Sequence, residues 1–367
     1  MVQIQLMFHN KLATFAKIGL FTAALSLLFS LSACNNQPPG PESQTRLLLG
    51  TTITLTIYDT PPKGAFNRVF DRVQEIQDKM STNEEEYDTT ELLEVNRNAG
   101  IKPVRVSPDT FDVIRKGLYY SRLTNGAFDI TIGPLVKLWG IGTDHEQLPE
   151  KAEIDKALGR LDYHKVKMNA AAHTIYLEEK GMALDAGGIA KGYAADQAAR
   201  ILEELGVKHA LLDFGGNILT VGQKPDGSDW RVGIQNPGES RGSFLGILTT
   251  GPATVVTSGN YERFFIKDGV RYHHILDSET GYPARTGLGS VTIYAAVSTD
   301  ADALSTSCFV LGVKKGLALL EKLPDVEGAF VTKDDQVIMT PGMKNVFRIT
   351  NDAFHEVAPE DYTPPAE

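Results

Sequence analysis

The stretch that decides the fold is Leu184-Asp185-Ala186-Gly187-Gly188-Ile189-Ala190-Lys191-Gly192. It predicts a glycine-rich turn that leads into a helix from about Tyr193 to Leu205, followed by a buried strand at 210–214. Glycine lets the backbone approach a ligand closely, and a helix N-terminus favours phosphate oxygens. The spacing matches neither a P-loop nor a dinucleotide fingerprint, so a purely structural turn explains this segment equally well.

Outward from this turn, the hydrophobic pattern predicts an α+β fold. Helices and strands are mixed without strict βαβ alternation, which argues against a doubly wound sheet. A helix is predicted at about 66–80, and a separate short helix ends at Asn96. Further helices are predicted at 108–124, 152–161, 193–205, 300–311 and 314–323. Strands are predicted at about 53–58, 210–214, 230–234, 255–261, 328–331 and 336–339. We therefore expect a single mixed α/β catalytic domain at 46–357 and a disordered tail at 358–367.

The composition is that of an acidic globular protein. The 367 residues carry a formal net charge of −10 and give a pI of about 5.4. A nucleic-acid binder would normally show a basic face, so no nucleic-acid partner is expected. A phosphorylated ligand remains possible, because backbone N–H groups and a metal can neutralise a diphosphate.

The N-terminus predicts export and lipidation. Lys11 and Lys17 precede an apolar run at 18–31 that is short for a membrane span and typical of a signal peptide. Leu31-Ser32-Ala33-Cys34 resembles a bacterial lipobox, which makes 1–33 a signal peptide and Cys34 the acylated first residue of the mature protein. Residues 34–45 form a Pro-rich polar tether. The alternative is a plain secretory signal with a chance cysteine. We expect Cys308 to be a buried small hydrophobic residue rather than a nucleophile.

A second segment with possible chemistry is Asp300-Ala301-Asp302-Ala303-Leu304-Ser305-Thr306-Ser307. Asp302 and Thr306 are four residues apart and would share a helix face. A carboxylate and a hydroxyl, joined by a backbone carbonyl, suit a hard cation such as Mg²⁺. The structural alternative is N-capping by Asp300 and a solvated first turn.

Other candidate residues lie in two further segments. His273 and His274 should point apart on a strand, so a single histidine is better suited to proton transfer or phosphate contact than a pair to metal binding. Phe128 could contact a flat heterocycle and Asp129 its edge, although Phe128 and Trp139 also suit a hydrophobic core. Ser258 lacks the surroundings of an acyl-transfer nucleophile.

In this order along one chain, the segments resemble the ApbE family, the FAD:protein FMN transferases. The resemblance covers about residues 46–350. Its main marks are Met80-Ser81-Thr82, Gly126-Ala127-Phe128-Asp129, the 185–194 segment, Asp213-Phe214-Gly215-Gly216, Thr257-Ser258-Gly259, His274-Ile275-Leu276-Asp277 and Ala301-Asp302-Ala303-Leu304-Ser305-Thr306.

The resemblance implies roles for individual residues. Mg²⁺ would be held by the Gly188 carbonyl, the Asp302 carboxylate and the Thr306 hydroxyl, with Ser305 close by. His274 would lie near the diphosphate, and His274 and Asp302 would be the catalytic residues, although a nearby Asp could also serve as the base. FAD would be contacted at Leu49, Asn83, Ala127, Phe128, Asp129, Asp185, Lys191 and Leu276.

The reaction implied is the transfer of FMN from FAD to a Thr or Ser hydroxyl of an acceptor flavoprotein, with release of AMP. Acceptors of the family include subunits of ion-pumping NADH:quinone oxidoreductases. The expected location is the bacterial cell envelope, lipid-anchored and facing the periplasm or the cell exterior. The alternatives are a Mg²⁺-dependent FAD pyrophosphatase that yields FMN and AMP, and a non-catalytic FAD-binding lipoprotein.

The chain departs from the family at two positions. Asn83 replaces a Tyr that often follows the Ser-Thr pair and could stack on a flavin or adenine ring. We expect the absence of this aromatic ring to favour hydrolysis of FAD by water. Asn217 replaces a common acidic residue, and the sequence alone gives no interpretation of that change.

Overall fold

The computed structural model describes residues 40–240 and 242–364; the predicted signal peptide at 1–33 and the lipidation site Cys34 lie outside the described residues. The helices are α1 (Ala65–Met80), α2 (Glu91–Arg97), α3 (Pro108–Leu123), α4 (Gly133–Trp139), α5 (Lys151–Leu158), α6 (Ala190–Glu204), α7 (Ser298–Leu320) and α8 (Met343–Val346).

The strands are β1 (Glu42–Leu48), β2 (Thr51–Ile57), β3 (Val104–Arg105), β4 (Val166–Asn169), β5 (Thr174–Leu177), β6 (Ala210–Phe214), β7 (Asn217–Val221), β8 (Trp230–Gln235), β9 (Phe244–Thr250), β10 (Thr254–Gly259), β11 (Phe264–Lys267), β12 (Val270–His273), β13 (Leu288–Ala295), β14 (Glu327–Thr332), β15 (Gln336–Met339), β16 (Phe347–Ile349) and β17 (His355–Glu356).

A nine-stranded sheet organises the fold, in the order β1-β2-β6-β7-β10-β13-β14-β15-β17. Its neighbouring strands are antiparallel except for β15 and β17, which are parallel. Two three-stranded sheets, β16-β9-β8 and β3-β5-β4, and the hairpin β11-β12 complete the strands. This arrangement confirms the predicted α+β class.

The main sheet packs against a hydrophobic core on each of its two faces at strands β10 and β14. Successive side chains of a strand point to opposite faces. Val256 and Phe330 therefore join the core formed with helices α1, α6 and α7, whereas Val255 and Val331 join a second core with β8, β9 and β16. Helix α6 contacts both α1 and α7, and the N-termini of α6 and α7 lie at the same end of the sheet, joined by the hydrogen bond from the Gly192 N–H to Asp302.

Helix α7 contains the break that the sequence predicts between its two halves. Gly312 has φ 72° and ψ 178°, which is not helical and which suits a residue without a Cβ atom. By length and composition Ser298–Leu320 could cross a membrane, but 61% of its most apolar window is buried in the fold. It is therefore a core helix of this domain.

The structure differs from the sequence at several boundaries. Strand β1 begins at Glu42, inside the predicted tether, because its backbone pairs with β2 from Glu42 opposite Ile57 onward. Tyr362 is only 5% exposed and belongs to the main core, so the predicted disorder of 358–367 is wrong at that residue. Helix α6 begins at Ala190 rather than near Tyr193.

Candidate active site

The glycine-rich turn before α6 is fixed by hydrogen bonds from three directions. Asn96 binds both backbone groups of Leu184: its Nδ2 donates to the carbonyl at 3.0 Å, and its Oδ1 accepts from the N–H at 2.7 Å. The N–H of Asp185 donates to the carbonyl of Ile130 at 3.0 Å. Asp185 Oδ1 accepts from the N–H of Gly187 at 2.8 Å, and its Oδ2 accepts from Thr82 Oγ1 at 3.1 Å. The turn is thus held firmly in one place.

Gly188 brings the backbone of this turn close to α7. A Cβ atom built on Gly188 would lie 3.1 Å from Phe128 Cε2 and 3.4 Å from Thr306 Oγ1. The contact with Phe128 is tighter than most side chains tolerate, so the position favours glycine, and the distance to Thr306 is that of ordinary van der Waals contact. The predicted neighbours Gly188 and Thr306 are therefore brought together across 118 residues of sequence.

Asp302 lies beside the same turn, with its two oxygens in different surroundings. The residue is 3% exposed. Its Oδ2 accepts a hydrogen bond from the N–H of Gly192 at 2.8 Å, while its Oδ1 lies 3.7 Å from Lys191 Nζ. Lys191 Nζ also donates to the carbonyl of Gly187 at 3.2 Å. A buried carboxylate with one oxygen still lacking a close donor is suited to a cation.

Ser305 and Thr306 differ in how their hydroxyls are used. Ser305 is fully buried, donates to the carbonyl of Asp302 at 2.9 Å and lies 2.8 Å from Ser258 Oγ. The side chain of Thr306 makes no hydrogen bond to any residue that the structure describes. Thr306 therefore has the free oxygen that faces Gly188, and Ser305 supports the helix turn beside it.

The donor set fits a hard cation by its chemistry. A carbonyl, a carboxylate and a hydroxyl provide only oxygen ligands, as Mg²⁺ prefers. Within 40–240 and 242–364, no group of three or more His, Cys, Asp or Glu side chains could hold a metal ion. The set formed by Gly188, Asp302 and Thr306 combines one carboxylate with a backbone oxygen and a hydroxyl oxygen. Asp300 does not cap α7, because the helix begins at Ser298 and Asp300 lies inside its first turn, where it pairs with Lys116 at 2.7 Å.

The two adjacent histidines point in opposite directions, as predicted. His273 is buried, and its Nε2 lies 3.1 Å from the carbonyl of Ala284. His274 is exposed, and its Nδ1 lies 3.3 Å from the carbonyl of Arg263. Because a carbonyl only accepts, that contact places the proton on Nδ1 and leaves the Nε2 lone pair free.

The His274 side chain is exposed, although neighbouring protein atoms partly desolvate its ring. This desolvation lowers its pKa below the ordinary value, and the positive charges of Arg263 and Lys191 lower it further. The ring is therefore neutral at pH 7 and can accept a proton.

The predicted FAD contacts at the start of the domain lie at the edge of the same region. Leu49 has φ 52°, a left-handed conformation that is rare for leucine, and its N–H donates to Gln77 Oε1 at 2.6 Å. Arg263, beside His274, donates to the carbonyl of Gly50 at 2.7 Å. Asn83 is exposed, and its Oδ1 accepts from the N–H of Glu85 at 3.1 Å.

The remaining predicted FAD contacts are mostly buried. Phe128 is 5% exposed and packs edge-to-face with Tyr120, and Leu276 is 5% exposed beside Trp139. Asp129 Oδ1 accepts from the N–H and hydroxyl of Thr131 at 2.8 and 2.6 Å. Burial raises the pKa of Asp129 despite these bonds. The half-buried Ala127 precedes this segment. Any contact with Phe128, Asp129 or Leu276 would use a small exposed edge or the backbone.

Trp139 is fully buried, as the core interpretation predicts, and its Nε1 donates to the carbonyl of Gly281 at 2.8 Å. Cys308 is also buried, and burial raises its thiol pKa, which does not suit a nucleophile. A depression of about 430 Å³ lies between α3 and α7 and contains none of the predicted site residues; it is lined by Arg115, Lys116, Tyr119, Tyr120, Arg122, Asp300, Leu304, Leu323, Pro324 and Val326.

Sequence reasoning missed two residues beside the site. Arg263 links the base of the β11–β12 hairpin to Gly50, and Asp196 of α6 accepts hydrogen bonds from the first turn of α7. Neither has a sequence motif that identifies it. A polar residue on the buried face of α6 is the one signal that could have indicated Asp196.

Known proteins are similar to this chain in both sequence and fold. The sequence model of the ApbE family matches residues 49–330. The FAD:protein FMN transferase of Treponema pallidum is 36% identical over 346 residues, covering 89% of this chain and 95% of the relative. That of Klebsiella pneumoniae is 37% identical over 298 residues, covering 81% and 91%.

Solved structures agree with these relatives. The crystal structure of the ApbE protein of Thermotoga maritima superimposes with a TM-score of 0.77 at 31% identity, covering 83% of this chain and 99% of that chain. The flavin transferase ApbE of Vibrio cholerae gives a TM-score of 0.73 at 28% identity, covering 83% and 99%. The chain therefore belongs to the ApbE family.

Proposed function

We propose that this enzyme transfers FMN from FAD to a Thr or Ser hydroxyl of an acceptor flavoprotein, with Mg²⁺, and releases AMP. The curated relatives are named FAD:protein FMN transferases. The observation that carries the proposal furthest is the approach of Gly188 and Thr306, with Asp302 and Lys191 beside them. These groups supply the oxygen ligands and the positive charge that a diphosphate substrate requires.

The chain's own residues have distinct tasks. The Gly188 carbonyl, the Asp302 carboxylate and the Thr306 hydroxyl would hold Mg²⁺, which when bound neutralises the diphosphate and withdraws charge from the breaking bond. Lys191 adds a second positive charge beside the phosphates. Leu49 and Asn83 would contact FAD at the edge of the site, and the turn at 185–188 would present backbone groups to its diphosphate. Most of the catalysis is then positioning and charge neutralisation.

The chemical step exchanges one phosphorus–oxygen bond for another. The acceptor oxygen attacks the phosphorus on the FMN side and forms a phosphodiester, while the bond to the bridging oxygen breaks and AMP leaves with that oxygen. The hydroxyl proton passes to His274 Nε2, which is free because Nδ1 faces the Arg263 carbonyl. Asp185 and Asp302 are weaker candidates for the base, since each already accepts a backbone hydrogen bond.

The test uses the protein lacking residues 1–34, with FAD, Mg²⁺ and a Thr-containing acceptor domain. We expect the acceptor to gain the mass of FMN less one water molecule, with one AMP per acceptor, and Asp302→Ala to abolish both. Free FMN and AMP with an unmodified acceptor would instead support the FAD pyrophosphatase. Intact bound FAD would support the flavin-binding lipoprotein.

We also propose that the protein is anchored through Cys34 in the cell envelope, where exported or membrane-bound flavoproteins would be its acceptors. Support comes from the sequence Leu31-Ser32-Ala33-Cys34 after the apolar run. Incorporation of labelled palmitate into the wild type and its loss in Cys34→Ser would test this. Equal labelling of the two proteins would contradict it.

A further inference from the structure

The N-terminus of helix α7 is capped by a residue from another helix. The residue before α7, Val297, provides no side-chain hydrogen bond, yet the first N–H groups of a helix need acceptors. Asp196 of α6 supplies them. Its Oδ1 accepts from the N–H of Ser298 at 2.9 Å, and its Oδ2 accepts from the N–H and hydroxyl of Thr299 at 2.8 and 2.5 Å.

The reverse contact joins the same two helices. Asp302 of α7 accepts from the N–H of Gly192, which lies in the first turn of α6. Each helix therefore offers a carboxylate to unpaired N–H groups of the other. We call this pair of contacts the carboxylate clasp, formed by Asp196 with Ser298 and Thr299 and by Asp302 with Gly192.

The clasp lies where the two helices approach each other closely. A Cβ atom on Gly192 would lie 2.2 Å from the carbonyl oxygen of Ser298 and 2.8 Å from Asp302 Cβ. Ser298 is fully buried, and its hydroxyl donates to Asn217 Oδ1 at 2.8 Å. Asn217, whose departure from the family pattern had no interpretation, thus helps to hold the first residue of α7.

The clasp sets the spacing of the candidate cation ligands. Gly188 precedes α6 by two residues, whereas Asp302 and Thr306 lie in the first turns of α7. Any slide of α7 along α6 changes the distance between these two sets of oxygens. Asp302 can resist such a slide through one hydrogen bond only, whereas Asp196 makes three.

We propose that Asp196 is a positioning residue for the cation site, acting through the first turn of α7 and touching neither metal nor substrate. The inference rests on the proposed function, because it assumes that Gly188, Asp302 and Thr306 hold the cation. Removal of Asp196 should weaken cation binding more than it weakens the chemical step. Loss of residues that orient metal ligands typically costs about 10- to 100-fold in affinity.

The experiment compares Asp196→Ala and Asp196→Asn with wild type by Mg²⁺ titration calorimetry in the presence of FAD and by the Mg²⁺ dependence of AMP release. We expect the Mg²⁺ dissociation constant to rise at least about tenfold in Asp196→Ala, with most of the rate recovered at saturating Mg²⁺. Asp196→Asn keeps an acceptor oxygen and should give an intermediate constant.

Ser307→Ala is the matched control, because it removes a different buried hydrogen bond of α7, from Ser307 Oγ to the Ala303 carbonyl at 2.6 Å. This variant should lower the Tm without changing the Mg²⁺ dissociation constant. If Asp196→Ala does not fold, Thr299→Val removes one bond of the clasp and should still raise the constant relative to Ser307→Ala.

The inference is wrong if the Asp196 and Thr299 variants bind Mg²⁺ as tightly as Ser307→Ala does. Failure of the proposed function gives a different result. If Gly188, Asp302 and Thr306 hold no cation, wild-type protein would show no Mg²⁺ binding with FAD, and if the protein only hydrolyses FAD, wild type would release AMP but leave the acceptor unmodified.

Discussion

The backbone N–H of Gly192 donates to Asp302 Oδ2 at 2.8 Å, which leaves Oδ1 as the oxygen that faces Lys191. One carboxylate thus both joins helix α7 to α6 and presents a charge to the candidate site. Gly192 can make this contact because it has no Cβ atom to meet the carbonyl of Ser298.

We expect Gly192→Ala to destabilise the protein by about 3 kcal/mol, because the added methyl group would meet fixed backbone. Urea unfolding measures the change. Gly159→Ala is the control: Gly159 has φ −62°, and the nearest atoms to its Cβ position are 3.7 Å away. Similar unfolding free energies for the two variants would contradict the close helix contact.

His274 should control the acidic limb of the pH profile. Its pKa lies below the ordinary value because protein atoms crowd the ring and because Arg263 and Lys191 are positive. The neutral base therefore persists at lower pH than usual, and kcat/KM should fall only well below about pH 6.5. Lys191→Met removes one positive charge and should move this limb to higher pH.

In the same assay, His274→Ala should reduce transfer about 100-fold or more with little change in Tm, since the ring is exposed. Two results would show that another group accepts the proton: transfer at the wild-type rate by His274→Ala, or a fall of kcat/KM at the same acidic pH in wild type and His274→Ala.

Asn83 should influence the balance between transfer and hydrolysis. Its side chain is exposed and its Oδ1 is used within its own turn, so it offers no apolar face to a flavin or adenine ring. We expect Asn83→Tyr to lower FAD hydrolysis in the absence of acceptor, measured as AMP release, and Asn83→Ala to leave it near the wild-type rate. Unchanged or faster hydrolysis in Asn83→Tyr would rule out this interpretation.

Asp109 should make the free energy of unfolding depend on pH. Burial raises its pKa, but hydrogen bonds from Arg72, from Lys79 at 2.8 Å and from Tyr193 at 2.6 Å outweigh burial and hold the pKa below the ordinary value. A depressed pKa in the folded state adds stability above the unfolded pKa of about 4, and this stability is lost as the pH falls.

Wild type should therefore lose more unfolding free energy between about pH 5 and pH 3 than Asp109→Asn does, when both are measured by urea unfolding. Parallel pH curves would show that Asp109 does not contribute in this way.

Helices and strands with a clear hydrophobic periodicity were predictable from the sequence. Helix α1 was predicted because Phe66, Val69, Phe70, Val73, Ile76 and Met80 recur at helical spacing, and all of them are buried. Strand β13 was missed because nearly all of its residues are buried, which leaves no alternation to distinguish a strand from a helix. Tyr362 was assigned to a disordered tail because its burial depends on distant contacts.

The site was predictable where its residues are neighbours in sequence. Asp302 and Thr306 share a helix face at a spacing of four, and Gly188 lies in a recognisable turn. The clasp was not predictable, because Asp196 and Ser298 are 102 residues apart and a single buried Asp on α6 does not indicate its partner. Likewise, nothing local to Arg263 indicates its contact with Gly50.

The most direct test of the central claim is the mass of the acceptor after incubation with FAD, over a range of Mg²⁺ concentrations, for wild type and Asp302→Asn. The Asn side chain keeps an acceptor for the Gly192 N–H and removes only the negative charge. We predict Mg²⁺-dependent gain of FMN by the acceptor with wild type, and a rate lower on the order of 100-fold with a near-normal Tm for Asp302→Asn. Transfer that is independent of Mg²⁺, or equal in the two proteins, would contradict the account.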